Sequence, residues 1–506
     1  MPLLTGTLPF SPPGAGAAPT LHIMGIGGTA MAALAGMLKD AGYAVTGSDT
    51  GVYPPMSTYL ESLGIPVMIG YNAANIAADR AGGPPDLVVV GNVIRAEYEE
   101  AKALLASDLP YCSFPQLLGA LFLEQRQSIV VAGTHGKTTT TSLIAHLLDR
   151  AMPPGKKPGF LVGGLAKNFD RTARLGDGPH FVIEGDEYDT AFFDKGPKFL
   201  HYRPNTAIIT SVEFDHADIY RDLDHVKESF RKLVAIVPPA ETPGQRGGGC
   251  IVARWDHDNV VDVCQVGDSS ESGASGSPEI RRYGVGQQWD GRIDRVDTQR
   301  GVQHFTVLKD GGVWGRFECI LVGEYNLYNC VAACAALDRE GLTAADLAPG
   351  FSSFEGVKRR QEVVGEVRQV TVLDDFAHHP TAVDVTLSGL RLRFGNRRIW
   401  AIFEPRSATS RRAVFQEAYA HVFTNADIVV VAPPPDQGRI AEDERFDTPR
   451  LIRRLRDQGK EAFTWDSVDE IVAAVCANAL PHDVIAVLSN GAFGGIHGKL
   501  LKGLER

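Results

Sequence analysis

The chain has 506 residues, 44% of them hydrophobic and 22% charged, which is globular material enough for about three domains. Its net charge of −11 comes without a long basic run, which argues against a nucleic-acid partner, and no apolar run reaches the roughly 18 residues of a membrane helix. Seven cysteines are scattered without a Cys-x-x-Cys pair, as expected of a cytoplasmic, disulfide-free protein.

Residues 1–20, with Pro9, Pro12, Pro13 and Pro19, fit neither a signal peptide nor a transit sequence and read as a mobile arm. Residues 21–24 then form a short apolar strand. Gly25, Ile26, Gly27 and Gly28 follow it, and an Ala/Leu/Met helix begins. A second strand ends at Asp49. Gly-x-Gly-x-x-Ala after a strand, with an acid about twenty residues on, is a dinucleotide fingerprint. Its physical content is that a diphosphate can sit on the helix N-terminus, whether of a nicotinamide dinucleotide or of a UDP-sugar. Residues 86–90 lead to Gly91 and Asn92, a further strand–helix junction on the same edge. A first domain is expected to span 21–124.

Residues 128–132 (SIVVA) read as a buried strand. The turn Gly133, Thr134, His135, Gly136, Lys137, Thr138 follows. A helix then starts at Thr139, with Leu143, Ile144, Leu147 and Leu148 at helical spacing. Strand, glycine turn with Gly-Lys-Thr, and helix form the context of a phosphate-binding loop. Backbone amides and the helix N-terminus face the phosphates, Lys137 reaches the terminal ones, and the Thr138 hydroxyl faces a magnesium ion. The general pattern has a glycine where this chain has Val131.

Residues 181–183 form a strand that ends in Glu184, Gly185, Asp186, Glu187, Tyr188 and Asp189. Acids at that edge beside a phosphate loop are magnesium ligands or a solvated acidic turn. His216, flanked by Asp215 and Asp218 at another strand end, is a metal or phosphate candidate, or structural. Asn326 and Asn329 open an alanine-rich helix and share one face, where they can read an adenine edge or cap the helix. A basic linker containing Arg360 leads into the last domain. There strands end in Asp375, His378 and His379, in Arg406 and Ser407, and in Ser489 to Gly491, which describes a doubly wound sheet. The expected fold is α/β in three domains: a Rossmann-like one at 21–124, a phosphate-loop ATPase-like one at 125–354 and a Rossmann-like one at 355–506. Their strand-end sites could meet in one cleft.

GTHGKTTTTSL, EGDEYDT, EFDHAD, GEYNLYN, FEGVKRRQE and DDFAHHPT occur in the order and spacing of the Mur ligase family, and from about Leu21 onward the chain resembles that family. Its members join amino acids or peptides to UDP-N-acetylmuramate-based cell-wall precursors. HIMGIGGTAMAALA is similar to the branch acting on UDP-N-acetylmuramate itself. AFFDKGPKFLHYRPNTAIITSVEFDHADIY, FEPRSATSRRAVFQ and SNGAFGGIHGKLL resemble the members that attach the murein tripeptide L-alanyl-γ-D-glutamyl-meso-diaminopimelate during peptidoglycan recycling. The alternatives are a ligase adding free L-alanine and a non-catalytic UDP-sugar sensor.

The resemblance implies ATP and Mg2+. It implies that Gly25, Gly27 and Gly28 hold the UDP diphosphate, with Ile26, Asp49 and Asn92 beside them, which displaces the nicotinamide reading. It makes Lys137 the γ-phosphate lysine, Thr138 and Glu184 ligands of a first magnesium and His216 a ligand of a second. Asn326 and Asn329 then contact adenine and ribose, Arg360 swings onto the phosphates, and Asp375 closes over the nucleotide. His378 or His379 is a candidate general base, and Arg406 with Ser407 is expected to meet the peptide. Two positions depart from the pattern. Many members carry a carbamylated lysine where this chain has Phe230, and Tyr325 replaces a histidine of the adenine motif.

Overall fold

The computed structural model describes residues 8–10, 13, 14, 17–80, 82–240, 248–265, 276–438 and 440–505. Most of the glycine/serine-rich stretches expected as loops at 244–249 and 268–277, and part of the expected arm, lie outside the described residues. Within the arm, Phe10 lies edge-on against Tyr43, with ring centroids 5.9 Å apart.

Three sheets organise the chain. The first has five parallel strands in the order Val67–Ile69, Ala44–Asp49, Thr20–Met24, Leu87–Val90, Tyr111–Ser113. Starting the order in the middle places both expected strand–helix loops on adjacent strands, Met24 beside Val90, at one edge. The central sheet has ten strands. At its middle, Gln127–Ala132 lies between Thr206–Ile209 and His180–Gly185, all parallel. These strands are apolar almost throughout because helices cover both faces. An antiparallel meander, Trp289–Asp297, Val302–Lys309 and Gly312–Cys319, extends one end. The third sheet has six strands, with Glu362–Val367 antiparallel at its edge and the others parallel. It is therefore a doubly wound sheet with one antiparallel edge strand.

The helix Lys137–Ala151 buries Leu143, Ile144, Leu147 and Leu148 completely, as the spacing predicts. It packs on the alanine-rich helix Glu324–Arg339, where Cys330 and Cys334 are fully buried packing groups. All seven thiols are free. Among the described residues no helix is long and apolar enough to cross a membrane.

His146, on the buried side of the phosphate-loop helix, has its Nε2 hydrogen-bonded with Ser353 Oγ at 3.0 Å. Burial pushes its pKa down to about 4, against a weaker opposing pull from Asp149. The unfolded chain, with a histidine near 6.5, takes up that proton first. The stability is therefore complete above about pH 6.5 and is lost as the pH falls toward and through 4, by up to about 3 kcal/mol. Thermal melts at pH 7 and pH 4 should show a smaller loss of Tm in His146→Gln than in wild type. Equal losses would mean that this imidazole does not titrate on unfolding.

Candidate active site

The phosphate loop is shaped by two glycines in the left-handed region. Gly133 has φ +136°, and a Cβ there would fall 2.1 Å from Thr210 Oγ1. Gly136 has φ +81°, and its Cβ would meet Asn329 Oδ1 at 2.7 Å. The loop is pinned to the neighbouring strand end. Thr134 N donates to Ser211 O at 3.0 Å, and His135 N donates to Ser211 Oγ at 3.0 Å. The helix begins at Lys137, and Thr140 N is the amide that returns to Gly136 O. The amides of the first turn before it have no intrahelical acceptor, which leaves them for an anion.

Lys137 donates to Gly133 O at 2.7 Å and to both oxygens of Glu187, at 3.0 and 2.8 Å. Burial alone would lower the lysine pKa, but Glu187, with Asp186 behind it, holds it above its ordinary value. Glu187 is itself buried, and its Oε1 lies 3.1 Å from His216 Nε2. Burial would raise its pKa, yet Lys137 and His216 hold the carboxyl below its ordinary value. The Tyr188 hydroxyl lies 2.5 Å from His216 Nδ1. His216 has φ +56°, a region a non-glycine residue rarely occupies, and such backbone strain concentrates at functional sites. Phe230 is far from this chemistry in character: it is fully buried against Phe199. The carboxylate beside His216 comes from Glu187 instead.

A second carboxylate stands on the other side of the helix start. Glu184 Oε1 accepts from Thr138 Oγ1 at 2.9 Å, and Oε2 accepts from Gly163 N at 2.8 Å. Arg360 reaches across from the linker and donates to Thr138 Oγ1 at 3.2 Å, with its guanidinium 4.9 Å from the Phe376 ring centroid. Hydroxyl and carboxylate oxygens at a helix N-terminus are a donor set for a small hard dication.

Lys137, Thr138, Glu184, Tyr188, His216 and Arg360 line one cleft of about 530 Å³ between the central and C-terminal sheets, which Glu187 meets only through Lys137 and His216. Thr134 to Thr139, Glu184 and His216 form its floor, and Tyr325, Asn326 and Asn329 form one wall. Asn329 donates to Asn326 Oδ1 at 3.2 Å, and Asn326 donates to Val322 O, so neither amide caps the helix, whose cap position is Gly323. Arg360, Asp375, His378 and Ser407 line the opposite side. Burial raises the pKa of Asp375, although Arg360 and the amides of Gln361 and Ala377 work against it.

The two histidines separate by their surroundings. His379 caps the helix Pro380–Phe394: its Nδ1 accepts from Thr381 N at 3.2 Å and its Nε2 donates to Phe214 O at 3.2 Å. Burial and the neighbouring His135 push its pKa down to about 4. It does not line the cleft. His378 does. Its Nδ1 donates to Phe376 O at 3.0 Å, which leaves Nε2 as acceptor, 3.7 Å from Asp215 Oδ2.

Not every expected residue converges here. Gly25 to Gly28, Asp49 and Asn92 lie on the edge of the first sheet and do not line this cleft, so two of the three strand-end sites meet rather than all three. Asp49 Oδ2 accepts from Gly27 N at 2.9 Å and so braces the glycine turn from within. Asn92 is exposed beside it. The first sheet is joined to the central one through the hairpin Asp189–Ala191 and Asp194–Pro197, whose Phe193 meets Tyr111 at 5.1 Å. Gly133 shapes the loop without lining the cleft. Arg406 does not line it either: next to the lining Ser407, it is 45% exposed and 3.5 Å from Glu404. Of the two arginines that follow in the chain, Arg411 donates to Asp436 O at 2.9 Å and Arg412 to Glu444 at 2.7 Å.

A phosphate loop with two flanking carboxylates, closed by an arginine and an acid from a following domain, defines a nucleotide-dependent phosphoryl-transfer enzyme of three α/β domains. The sequence agrees along its length. Residues 20–126 match the profile of the Mur ligase catalytic domain, 131–337 the Mur ligase middle domain and 359–491 the Mur glutamate ligase domain. A UDP-N-acetylmuramate–L-alanyl-γ-D-glutamyl-meso-2,6-diaminoheptandioate ligase of Escherichia coli (strain K12) is 40% identical over 96% of this chain and 98% of its own. A UDP-N-acetylmuramate–L-alanine ligase of Burkholderia cenocepacia is 31% identical over 96% of this chain and 98% of its own. The crystal structure of a murein peptide ligase from Psychrobacter arcticus superposes with a TM-score of 0.65 at 33% identity, covering 97% of this chain and 99% of that one. The chain belongs to the Mur ligase family and is an ATP-dependent acid–amino acid ligase.

Proposed function

We propose that this ligase joins L-alanyl-γ-D-glutamyl-meso-diaminopimelate to UDP-N-acetylmuramate in the cytoplasm, in peptidoglycan recycling. The choice of acceptor is carried by the 40% identity to the E. coli tripeptide ligase, against 31% to the L-alanine ligase. The second reading, addition of free L-alanine, rests on the latter likeness. Residues 21–124 would hold the UDP-sugar on Gly25 to Gly28, with Asp49 and Asn92 beside them. Residues 125–354 would hold ATP, and 355–506 would close over it and receive the peptide.

A carboxylate does not acylate an amine in neutral water because oxide is a poor leaving group. In the proposed reaction a lactyl carboxylate oxygen attacks the γ-phosphorus of ATP and ADP leaves. The peptide α-amine attacks the acyl carbon of the resulting acyl phosphate, phosphate leaves with that carboxylate oxygen, and the ammonium proton goes to a base. Lys137, released from Glu187, and Arg360 offset charge on the transferring phosphoryl group. His378 takes the proton on Nε2, with Asp215 beside it to stabilise the imidazolium. Asn326 and Asn329 face the base and ribose. Thr138 and Glu184 would hold one Mg2+, and His216 with Glu187 a second, Glu187 serving where other members use the carbamylated lysine. Bound there, the cations would neutralise phosphate charge. With an 18O-labelled lactyl carboxylate and the tripeptide as acceptor, one label should appear in the released phosphate. Unlabelled phosphate would overturn the acyl phosphate route.

Arg406, beside the cleft-lining Ser407, would meet a carboxylate of the incoming peptide. Arg406 has one acidic neighbour at 3.5 Å and is half open to water, so its charge is available. Loss of a fully buried pair costs about 2–5 kcal/mol, and solvent screening reduces that here. Arg406→Ala should raise the peptide KM by about tenfold or more and leave the KM values for ATP and UDP-sugar unchanged. A common rise in all three would move Arg406 from peptide binding to domain closure.

A further inference from the structure

At one side of the phosphate loop, three groups to which the ligation assigns no proton or phosphoryl transfer face one another. Glu213 Oε2 lies 3.5 Å from His135 Nε2 and 3.7 Å from His379 Nδ1. One ligand atom from each of the three falls within 4.8 Å of the other two, the one such group among the described residues. The His135 and His379 rings are 4.7 Å apart, centroid to centroid. We propose that His135, Glu213 and His379 form a site for a borderline-soft transition dication of the Zn2+ class, at the joint between the central and C-terminal sheets.

Two observations point to a ligand independently. First, His135 Nε2 is buried without a hydrogen-bond partner, on a side chain only 9% exposed, and it aims at Glu213. A buried imidazole nitrogen left so is costly unless something takes it up. Second, the spacing suits a metal better than direct hydrogen bonds. Tetrahedral Zn2+ with bonds of about 2.0–2.1 Å sets its ligand atoms roughly 3.3 Å apart. The two imidazole nitrogens lie 3.5 and 3.7 Å from Glu213 Oε2, and all three atoms fall within 4.8 Å, so the two rings close toward each other as the cation enters. Three protein ligands leave a fourth position open to water or substrate.

The surroundings prepare this arrangement. His379 Nε2 donates to Phe214 O, which fixes the tautomer and turns the Nδ1 lone pair toward Glu213. Thr381 N shares that lone pair at 3.2 Å, and it is the bond that the cation would replace. Thr381 Oγ1 donates to Glu213 Oε2 at 2.7 Å and orients the carboxylate as an outer partner does. His257 Nε2 stands 3.5 Å from Glu213 Oε1 and adds a further imidazole nearby. Two imidazoles and one carboxylate favour Zn2+, Co2+ or Ni2+ over Mg2+, which separates this site from the hydroxyl and carboxylate set at Thr138 and Glu184.

The site ties two parts of the molecule together. His135 belongs to the phosphate loop, whereas His379 caps a helix of the C-terminal sheet. A cation held by both fastens the lid onto the loop and slows the opening that releases products.

The test titrates the purified full-length chain with Co2+ in excess Mg2+ and without nucleotide. We expect one equivalent to bind, with the strong visible absorption of low-coordinate cobalt. That binding should be at least tenfold weaker in His379→Gln and in His135→Asn, and should survive in Glu184→Gln. Zn2+ should raise the Tm of wild type but not of either histidine variant. Because the two histidines lie in different sheets, a variant that fails to fold, judged by circular dichroism, leaves the other to decide. Absence of the band in wild type would overturn the site. So would its survival in a folded histidine variant, or its loss in Glu184→Gln, which would place the cation at the phosphates.

Discussion

Lys137→Ala is expected to lower the ligation kcat by on the order of 10²–10³-fold, the scale of removing one preorganised charge from a phosphoryl- or acyl-transfer site. The lysine side chain is 13% exposed, and its ammonium is engaged by Gly133 O and by both oxygens of Glu187. An arriving phosphate must compete with that carboxylate, so the side chain is held in reach of the reaction rather than left to wander. UDP-sugar binding should be unchanged, because Gly25 to Gly28 do not line the nucleotide cleft. Stability should fall as well. Glu187 would remain buried with His216 as its nearest charged partner, and breaking a buried pair costs about 3–5 kcal/mol. The double variant Lys137→Met/Glu187→Leu should therefore melt higher than Lys137→Ala alone. Turnover near the wild-type rate in Lys137→Ala would remove the lysine from the chemistry.

Glu187→Gln carries the second large effect. One carboxylate bridges the phosphate-loop lysine and the strained histidine, so neutralising it strikes both. Lys137 loses the partner that holds its pKa up against burial. His216 loses the acid that keeps its ring in place. If Glu187 stands where other Mur ligases have a carbamylated lysine, the variant should bind one fewer Mn2+ equivalent with a non-hydrolysable ATP analogue, read by electron paramagnetic resonance. Its kcat should fall by about 10–100-fold, the usual cost of losing a metal-site group. An unchanged Mn2+ stoichiometry with a normal kcat would return Glu187 to a structural role.

The difference between Lys137 and Glu187 marks what a sequence can reveal here. The phosphate loop is a local object: a buried strand, two turn glycines and a helix N-terminus follow one another within a dozen residues, and each announces itself by residue type. The same holds for Gly25 to Gly28 and for the strand ends carrying Glu184, His216 and Asp375. Glu187 sits within the same acidic stretch as Glu184, but its partners are 50 and 29 residues away in the chain. Nothing local distinguishes it from Asp186, which turns instead to Lys198 at 2.6 Å. His378 and His379 are likewise adjacent in sequence and opposite in fate. Only the packing of Phe214 and Thr381 around the second ring decides which one faces the cleft. The antiparallel meander from Trp289 to Cys319 escaped notice for another reason. Its strands alternate buried Phe305 and Val307 with polar residues at the open end of the sheet, and they carry none of the continuous apolar runs that mark the parallel strands. The meeting of the central and C-terminal strand ends was legible. The separation of the first sheet's edge from that cleft is a matter of tertiary placement that no local pattern encodes.

The acceptor is what separates this ligase from an L-alanine ligase, and one assay reads it directly. Purified enzyme is given ATP, Mg2+ and UDP-N-acetylmuramate, with either L-alanyl-γ-D-glutamyl-meso-diaminopimelate or free L-alanine, and phosphate release is followed with mass analysis of the UDP-linked product. The structure and its relatives predict phosphate release that depends on the tripeptide and yields the UDP-N-acetylmuramyl tripeptide. Release driven by L-alanine alone, with UDP-N-acetylmuramyl-L-alanine as the product, would contradict it.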